Sequence, residues 1–351
     1  MPEHPVESRL IVKRNSGRFG LIISCIIGGL GNQMFQYAAA RALALARGLP
    51  LRLDVSGFDG YGLHQGFELQ RVFHCEAELA SAADLRDVLG WRAAPVLRRV
   101  LARPGLAALR GPAFVVEPHF HYWAGIRDVP ATAYLQGYWQ SQKYFADAAS
   151  ALRTDFAFRQ PLSAENAAWA ERIGRCAAVS LHVRRGDYVS DARTHAAHGV
   201  CSPDFYRAAA RHIAGCVDAP EFFVFSDDIA WARDNLGIGH PCHYLDHNRG
   251  AESYNDMRLM SLCRHHILAN SSFSWWGAWL AEAGGTVVAP QPWFSNPTLH
   301  DDDLIPPRWL RSQCRLRCSV APGTTNRKAV SVRRVTVRSL SIPPRSFSIC
   351  V

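Results

Sequence analysis

Residues 21–33, LIISCIIGGLGNQ, decide how this chain begins to fold. Leu21 to Ile27 is a continuous run, apolar but for Ser24, the pattern of a strand covered on both faces rather than one. A glycine-rich turn follows, then an alanine-rich helical stretch from about Gln33 to Arg47, stopped by Gly48 and Pro50. Leu51 to Val55 reads as the next strand, giving a β–turn–α–β start. The apolar stretch from Phe19 to Leu30 is too short to cross a bilayer, which takes about 20 residues. Arg9, Lys13, Arg14 and Arg18 precede it as they would in a signal peptide, but no small-residue cleavage site follows. It reads as a buried first strand, and residues 1–18 as a disordered extension.

From residue 59 to 125 the pattern is less regular, with helical stretches near 79–89 and 95–110 broken by Gly and Pro. The second half is clearer. Strands are expected over Ala177–Val183, Glu221–Phe225, Cys242–Leu245, His266–Ala269 and Thr286–Ala289. Helices are expected over Pro203–Ile213 (capped by Ser202), Asp228–Leu236, Glu252–Cys263 and Phe273–Ala283. This alternation predicts parallel, doubly wound α/β sheets, whose ligands bind beyond the carboxyl ends of the strands.

Composition narrows the function classes. Of 39 Lys and Arg, eight lie from Arg315 to the end, where no acidic residue occurs; the other 31 face 30 Asp and Glu. The excess of +9 thus belongs to the tail, and the body's net charge does not suggest nucleic acid. The tail is rich in Ser, Pro and Arg without core periodicity and reads as disordered over 315–351. The ten cysteines are scattered. Cys314 and Cys318 lack a second pair, so no zinc site and no other metal is expected, and reduced thiols fit a reducing compartment.

Four peculiar stretches fall at strand ends. His182-Val183-Arg184-Arg185-Gly186-Asp187 sends two arginines out of a buried strand, which is costly unless an anion receives them. The guanidinium fork of Arg184 suits phosphate oxygens, Gly186 permits a close turn, and Asp187 can lock one guanidinium. The plainer alternative is an Arg–Asp pair that holds the loop. Gly28, Gly29, Leu30, Gly31, Asn32 and Gln33 form a turn into a helix start, where backbone amides favour anions, or simply a tight turn. Ser226, Asp227 and Asp228 offer carboxylates for the N1–H and exocyclic amine of guanine, or an N-cap. Asn270, Ser271, Ser272 and Ser274 put hydroxyls and amides at another helix start, while Trp275 and Trp276 read as core.

Taken in order, GGLGNQMFQYA, GYWQSQKYF (137–145), SLHVRRGDYV, FFVFSDD and ANSSFSWWGAWLA resemble the α-1,2-fucosyltransferases of glycosyltransferase family 11, over roughly residues 21–310. HVRRGD is shared with a wider fucosyltransferase superfamily; SSFSWWGAWL narrows the choice. The resemblance implies a GT-B-like fold of two Rossmann-like domains: an acceptor-side domain over 19–150 and a GDP-fucose-binding domain over 151–314. It implies transfer of fucose from GDP-fucose to the 2-hydroxyl of a galactose-terminated oligosaccharide, with inversion, no metal and no cofactor. By position, Arg184 contacts the β-phosphate and is catalytic. His182 and Asp227 or Asp228 lie near the nucleoside, Ser272 or Ser274 meets phosphate, and Asn32 faces the diphosphate or fucose. Gly29, Gly31, Gln33, Arg185, Asp187, Ser226, Asn270 and Ser271 complete the expected donor site. The sequence does not identify the proton acceptor: a carboxylate of the N-terminal domain is one candidate, and a loose transition state that needs little base is the alternative. Work in the cytoplasm is expected, a lipid-linked acceptor bringing the protein to the inner face of the membrane. Rival readings are another fucose linkage, a nucleotide-sugar-binding protein without turnover, and nucleic-acid binding through the tail.

Overall fold

The computed structural model describes residues 20–60, 65–191, 195, 196, 198–282 and 284–313, without the side chains of Asp187 and Ser190. The N-terminal extension and the basic tail lie outside the described residues, as do Cys314 and Cys318.

The N-terminal half holds β1 (Leu21–Cys25), α1 (Leu30–Arg47), β2 (Leu51–Asp54), α2 (Leu69–Val72), β3 (Glu78–Leu79), α3 (Ala82–Leu89), α4 (Pro95–Leu101), β4 (Phe114–Val116) and β5 (Thr132–Gln136). Its strands form one sheet in the order β3-β2-β1-β5-β4, and every pairing is parallel. Helix α1 covers one face, where Ile22 lies, and α3 and α4 cover the other, where Ile23 packs against Leu85, Leu89 and Leu101. Both faces of β1 are therefore dry, which is why it reads as continuous apolar sequence. Gly48 closes α1 in the left-handed conformation, φ 63°, its amide returning to the Ala44 and Leu45 carbonyls.

After α5 (Ala149–Asp155) and α6 (Ala164–Gly174) come β6 (Ala177–Val183), α7 (Gly186–Ser190), α8 (Pro203–Ala214), β7 (Pro220–Ser226), α9 (Ile229–Asn235), β8 (Cys242–Leu245), α10 (Tyr254–Leu262), β9 (His265–Ile267), α11 (Ser272–Leu280), β10 (Val287–Gln291) and β11 (Leu310–Gln313). These strands form a second all-parallel sheet, β11-β10-β9-β6-β7-β8. Ser202 caps α8 through the Phe205 amide, with Pro203 in the first turn. The molecule is two parallel-sheet α/β domains of Rossmann-like, GT-B-like design.

Strand order reverses next to the central strand of each sheet: β1 lies between β2 and β5, β6 between β7 and β9. Those reversals are where open α/β sheets bind ligands. The domains are joined by an apolar seam between α1 and α11. Phe35 lies 4.5 Å from Trp275 and 4.9 Å from Trp276, and the Trp276 indole donates to the Gly31 carbonyl at 2.9 Å. The two tryptophans are fully buried core, as read. A Cβ on Gly31 would sit 2.6 Å from the Ser272 backbone, so only glycine lets the two helix starts meet.

Candidate active site

A cavity of about 600 Å³ opens between the domains, over the carboxyl ends of both central strands. One wall comes from the turn into α1 and from Glu68, Tyr138 and Gln140. The other comes from the ends of β6 and β7, the loop after β8 and the start of α11.

Arg184 leaves β6 and lines this cavity. Its Nη1 holds Asp227 Oδ2 at 2.9 Å, and its guanidinium lies 5.6 Å from the Tyr188 ring. Asp227 Oδ1 accepts the Arg185 backbone N–H at 2.9 Å, so one carboxylate fixes both the loop and the guanidinium. The loop can approach so closely because residue 186 is glycine: a Cβ there would meet Asp227 Oδ2 at 2.6 Å. Asp228 caps α9 by accepting the Trp231 amide at 3.2 Å, and its own amide donates to Ser226 Oγ at 3.0 Å. The two aspartates thus divide the work: Asp228 caps, Asp227 holds the arginine.

His182, beneath Arg184, is buried, and its Nδ1 has no hydrogen-bond partner among the described residues. Burial pushes its pKa down to about 4, with Asp227 opposing and Arg184 reinforcing, so the ring is neutral at pH 7. Across the cavity, Gly29 caps α1 with no side-chain hydrogen bond, and the first turn has no acidic residue. The Asn32 and Gln33 amides donate to the Gly29 carbonyl at 2.9 and 3.1 Å, so the Leu30 and Gly31 amides are the ones of the kind an anion satisfies. Asn32 Oδ1 accepts from Gln140 Nε2 at 2.8 Å and from Ser272 Oγ at 2.9 Å. With its oxygen engaged from both domains, the Asn32 amide is oriented by the interface.

Three further carboxylates line the cavity: Glu68, Asp246 and Asp256. Glu68 is buried; Arg71 holds its Oε1 at 2.7 Å, and burial raises its pKa against that cation. Asp256 accepts from Asn248 Nδ2 at 2.9 Å, and burial raises it to about 7. Among the described residues no group of three or more His, Cys, Asp or Glu is arranged to hold a metal ion.

The model of glycosyl transferase family 11 matches residues 124–313. An α-1,2-colitosyltransferase of Escherichia coli is 34% identical over 295 residues, covering 83% of this chain and 98% of that protein. The chain belongs to glycosyltransferase family 11. The O-antigen biosynthesis glycosyltransferase WbnK of Escherichia coli is 32% identical, covering 78% of this chain and 95% of its own. A galactoside α-(1,2)-fucosyltransferase 1 of Saimiri sciureus is 27% identical over 49% of this chain and 47% of its own. Among solved structures, fucosyltransferase NodZ from Bradyrhizobium superposes with a TM-score of 0.46 at 15% identity, covering 76% of this chain and 94% of its own.

In this family 11 glycosyltransferase the structure gathers Gly29, Gly31, Asn32, His182, Arg184, Ser226, Asp227, Asp228, Asn270, Ser271 and Ser272 around one cavity. Three expected donor contacts are turned elsewhere. Gln33 is fully buried; its amide donates to the Gly28 and Gly66 carbonyls and accepts the Glu68 N–H, so it braces the turn. Ser274 is buried and donates back to Ser271 O at 3.2 Å, one turn behind it. Arg185 lies flat on the Trp231 ring at 3.8 Å and reaches Asp228 at 3.3 Å. Asn270 lines the cavity, yet its amide already ties the His198, Gly199 and Trp293 carbonyls together. The side chain of Asp187 lies outside the described residues; the locking carboxylate found here is Asp227. Sequence reading missed Glu68, Gln140, Asn248 and Asp256. Gln140 sits in the quoted GYWQ stretch, and its position after an apolar strand was the available signal.

The cysteines at 25, 75, 176, 201, 216, 242 and 263 are thiols. No helix among the described residues is long and apolar enough to cross a membrane.

Proposed function

We propose that this enzyme moves L-fucose from GDP-fucose to the 2-hydroxyl of a terminal β-galactose, with inversion and without a metal ion. The observation that carries this is Arg184, fixed by Asp227 at the end of β6 and lining the same cavity as the start of α1, which Gly29 caps without a side chain. Breaking the sugar–phosphate bond leaves negative charge on the β-phosphate while the sugar becomes oxocarbenium-like. A guanidinium held in place beforehand and aligned helix-start amides stabilise that charge without reorganising. The neutral His182 and the Ser226–Asp228 stretch flank Arg184 on the side of β7, where the nucleoside would lie. Asn32 and Ser272, coupled across the interface, would meet the diphosphate or the sugar.

Inversion requires the acceptor hydroxyl to lose its proton on the face opposite the leaving group. Glu68 is the N-terminal-domain carboxylate in the lining, and its Oε2 accepts no hydrogen bond among the described residues. Its burial-raised pKa suits proton uptake, and we assign it that role. Asp256, on the other domain, would lie beside the nucleotide.

A second reading follows from the 34% identity to an α-1,2-colitosyltransferase. Colitose is fucose without its 3-hydroxyl, so the two donors differ in one polar group. A site built around that hydroxyl rejects the deoxy sugar by about 10⁴-fold. Incubating the enzyme with lactose, EDTA and equal GDP-fucose and GDP-colitose, then analysing products, decides among the readings. Fucosyl-α-1,2-lactose formed despite EDTA is expected. Colitosylated product alone transfers the assignment to colitose, and silence reversed by manganese overturns the metal-free mechanism.

A further inference from the structure

The outer face of the N-terminal domain, opposite the seam with α11, carries a patch the proposed chemistry does not use. From Gly90 to Val116 the sequence holds five arginines (92, 98, 99, 103 and 110) and no acidic residue. Two of the five are internal fasteners. Arg98 is buried against Asp54 and Tyr134, and Arg110 donates to the Leu101, Ala102 and Arg103 carbonyls at the end of α4. Arg99 and Arg103 are exposed and have no ion-pair partner among the described residues.

Between these arginines the surface is apolar. Trp91 is 61% exposed, Val96 71% and Leu109 52%, the three most exposed large hydrophobic side chains of the described residues apart from Val189. They are not scattered. Arg92 stacks over Trp91 at 4.6 Å while its Nε donates to the Leu109 carbonyl at 2.6 Å, joining the two ends of the segment; Val96 lies in the first turn of α4, between them in sequence. The inner sides of α3 and α4 fill their own core with Leu85, Leu89 and Leu101, so the exposed residues are surplus to the domain's packing. Arg98 reaches Asp54 at the carboxyl end of β2, which places α4 along the edge of the sheet from which the cavity opens.

We propose that this patch, centred on Trp91, Val96 and Leu109 and flanked by Arg99 and Arg103, docks the enzyme on an anionic lipid bilayer surface. An indole suits the headgroup boundary, Val and Leu enter the acyl edge, and flanking guanidinium groups meet lipid phosphates. The proposal is independent of which sugar is transferred.

The test is co-sedimentation of the full-length protein with phosphatidylcholine vesicles, with and without phosphatidylglycerol, beside turnover on a soluble galactoside. Binding that requires phosphatidylglycerol and weakens with salt is expected. Each cation near such a surface contributes about fivefold, so Arg99→Gln with Arg103→Gln should weaken binding roughly 25-fold. Trp91→Ser with Val96→Ser should weaken it at least tenfold, and both pairs should keep full turnover on the soluble acceptor. The proposal fails if the parent does not bind, or if the arginine pair binds within threefold of it. It also fails if the patch instead mediates self-association that Trp91→Ser abolishes without any lipid dependence.

Discussion

Replacing Arg184 tests the site most directly. In the folded protein its ion pair with Asp227 spans 2.9 Å with about a quarter of each side chain exposed. At that exposure an ion pair contributes on the order of 1 kcal/mol or less to stability, so Arg184→Ala should fold and melt within about 4 °C of the parent. The kinetic effect is of another size. Losing a donor preorganised toward a developing oxyanion costs about 100- to 1000-fold in turnover, or roughly 3–4 kcal/mol of transition-state stabilisation. Arg184→Lys separates charge from geometry. A lysine ammonium is a single point donor group, and Asp227 lies ready to capture it, so a loss of about 100-fold is expected despite the retained charge. The assay is initial-rate transfer from GDP-fucose to lactose, with thermal melting and GDP binding measured on the same preparations. Turnover of either variant within threefold of the parent, with its fold intact, would refute the electrostatic role given to this residue.

Three other expectations rest on separate observations. Gly186→Ala puts a Cβ 2.6 Å from Asp227 Oδ2, so it should shift the carboxylate and with it Arg184, lowering kcat about 10- to 100-fold; unchanged kinetics would show that the Asp227 anchor is dispensable. Glu68→Gln should lower kcat at least tenfold and leave GDP affinity within twofold; loss of GDP binding instead would move Glu68 to the donor side. Glu117, at the end of β4, accepts the Tyr138 and Trp139 amides at 2.7 and 3.0 Å, yet burial raises its pKa from 4.5 to about 8. A raised folded value means its contribution is fully present below pH 4.5 and is lost as pH climbs through about 8. Chemical denaturation from pH 6 to about pH 9 should therefore show a declining stability that Glu117→Gln flattens; equal slopes would contradict the shift.

Much of the second domain was legible because its inner strands β6 and β7 are buried along most of their length and its helices carry local stop and start signals. Ala177–Val183 and Cys242–Leu245 run where the apolar pattern places them, and Ser202 caps its helix. The first domain was harder past β2. Strand β3 has two residues, both exposed, and β4 has three, so neither is long enough to show a period; each exists because a distant strand pairs with it. The same limit hid Glu68, which immediately precedes the one-turn helix α2.

By itself the sequence determined the residue types of the chemistry: a glycine-rich turn, paired arginines, paired aspartates and a serine-rich helix start, each behind an apolar strand. It could not say that Asp228 caps while Asp227 restrains Arg184, nor that Gln33 and Ser274 turn inward. Those outcomes depend on which atoms lie within about 3 Å after folding, and contacts such as Asn32 to Ser272 join residues 240 positions apart. Tertiary structure alone brought the reversal points of two sheets face to face, because α1 and α11 bury their aromatic faces against each other. That burial turns four separate strand ends into one cavity.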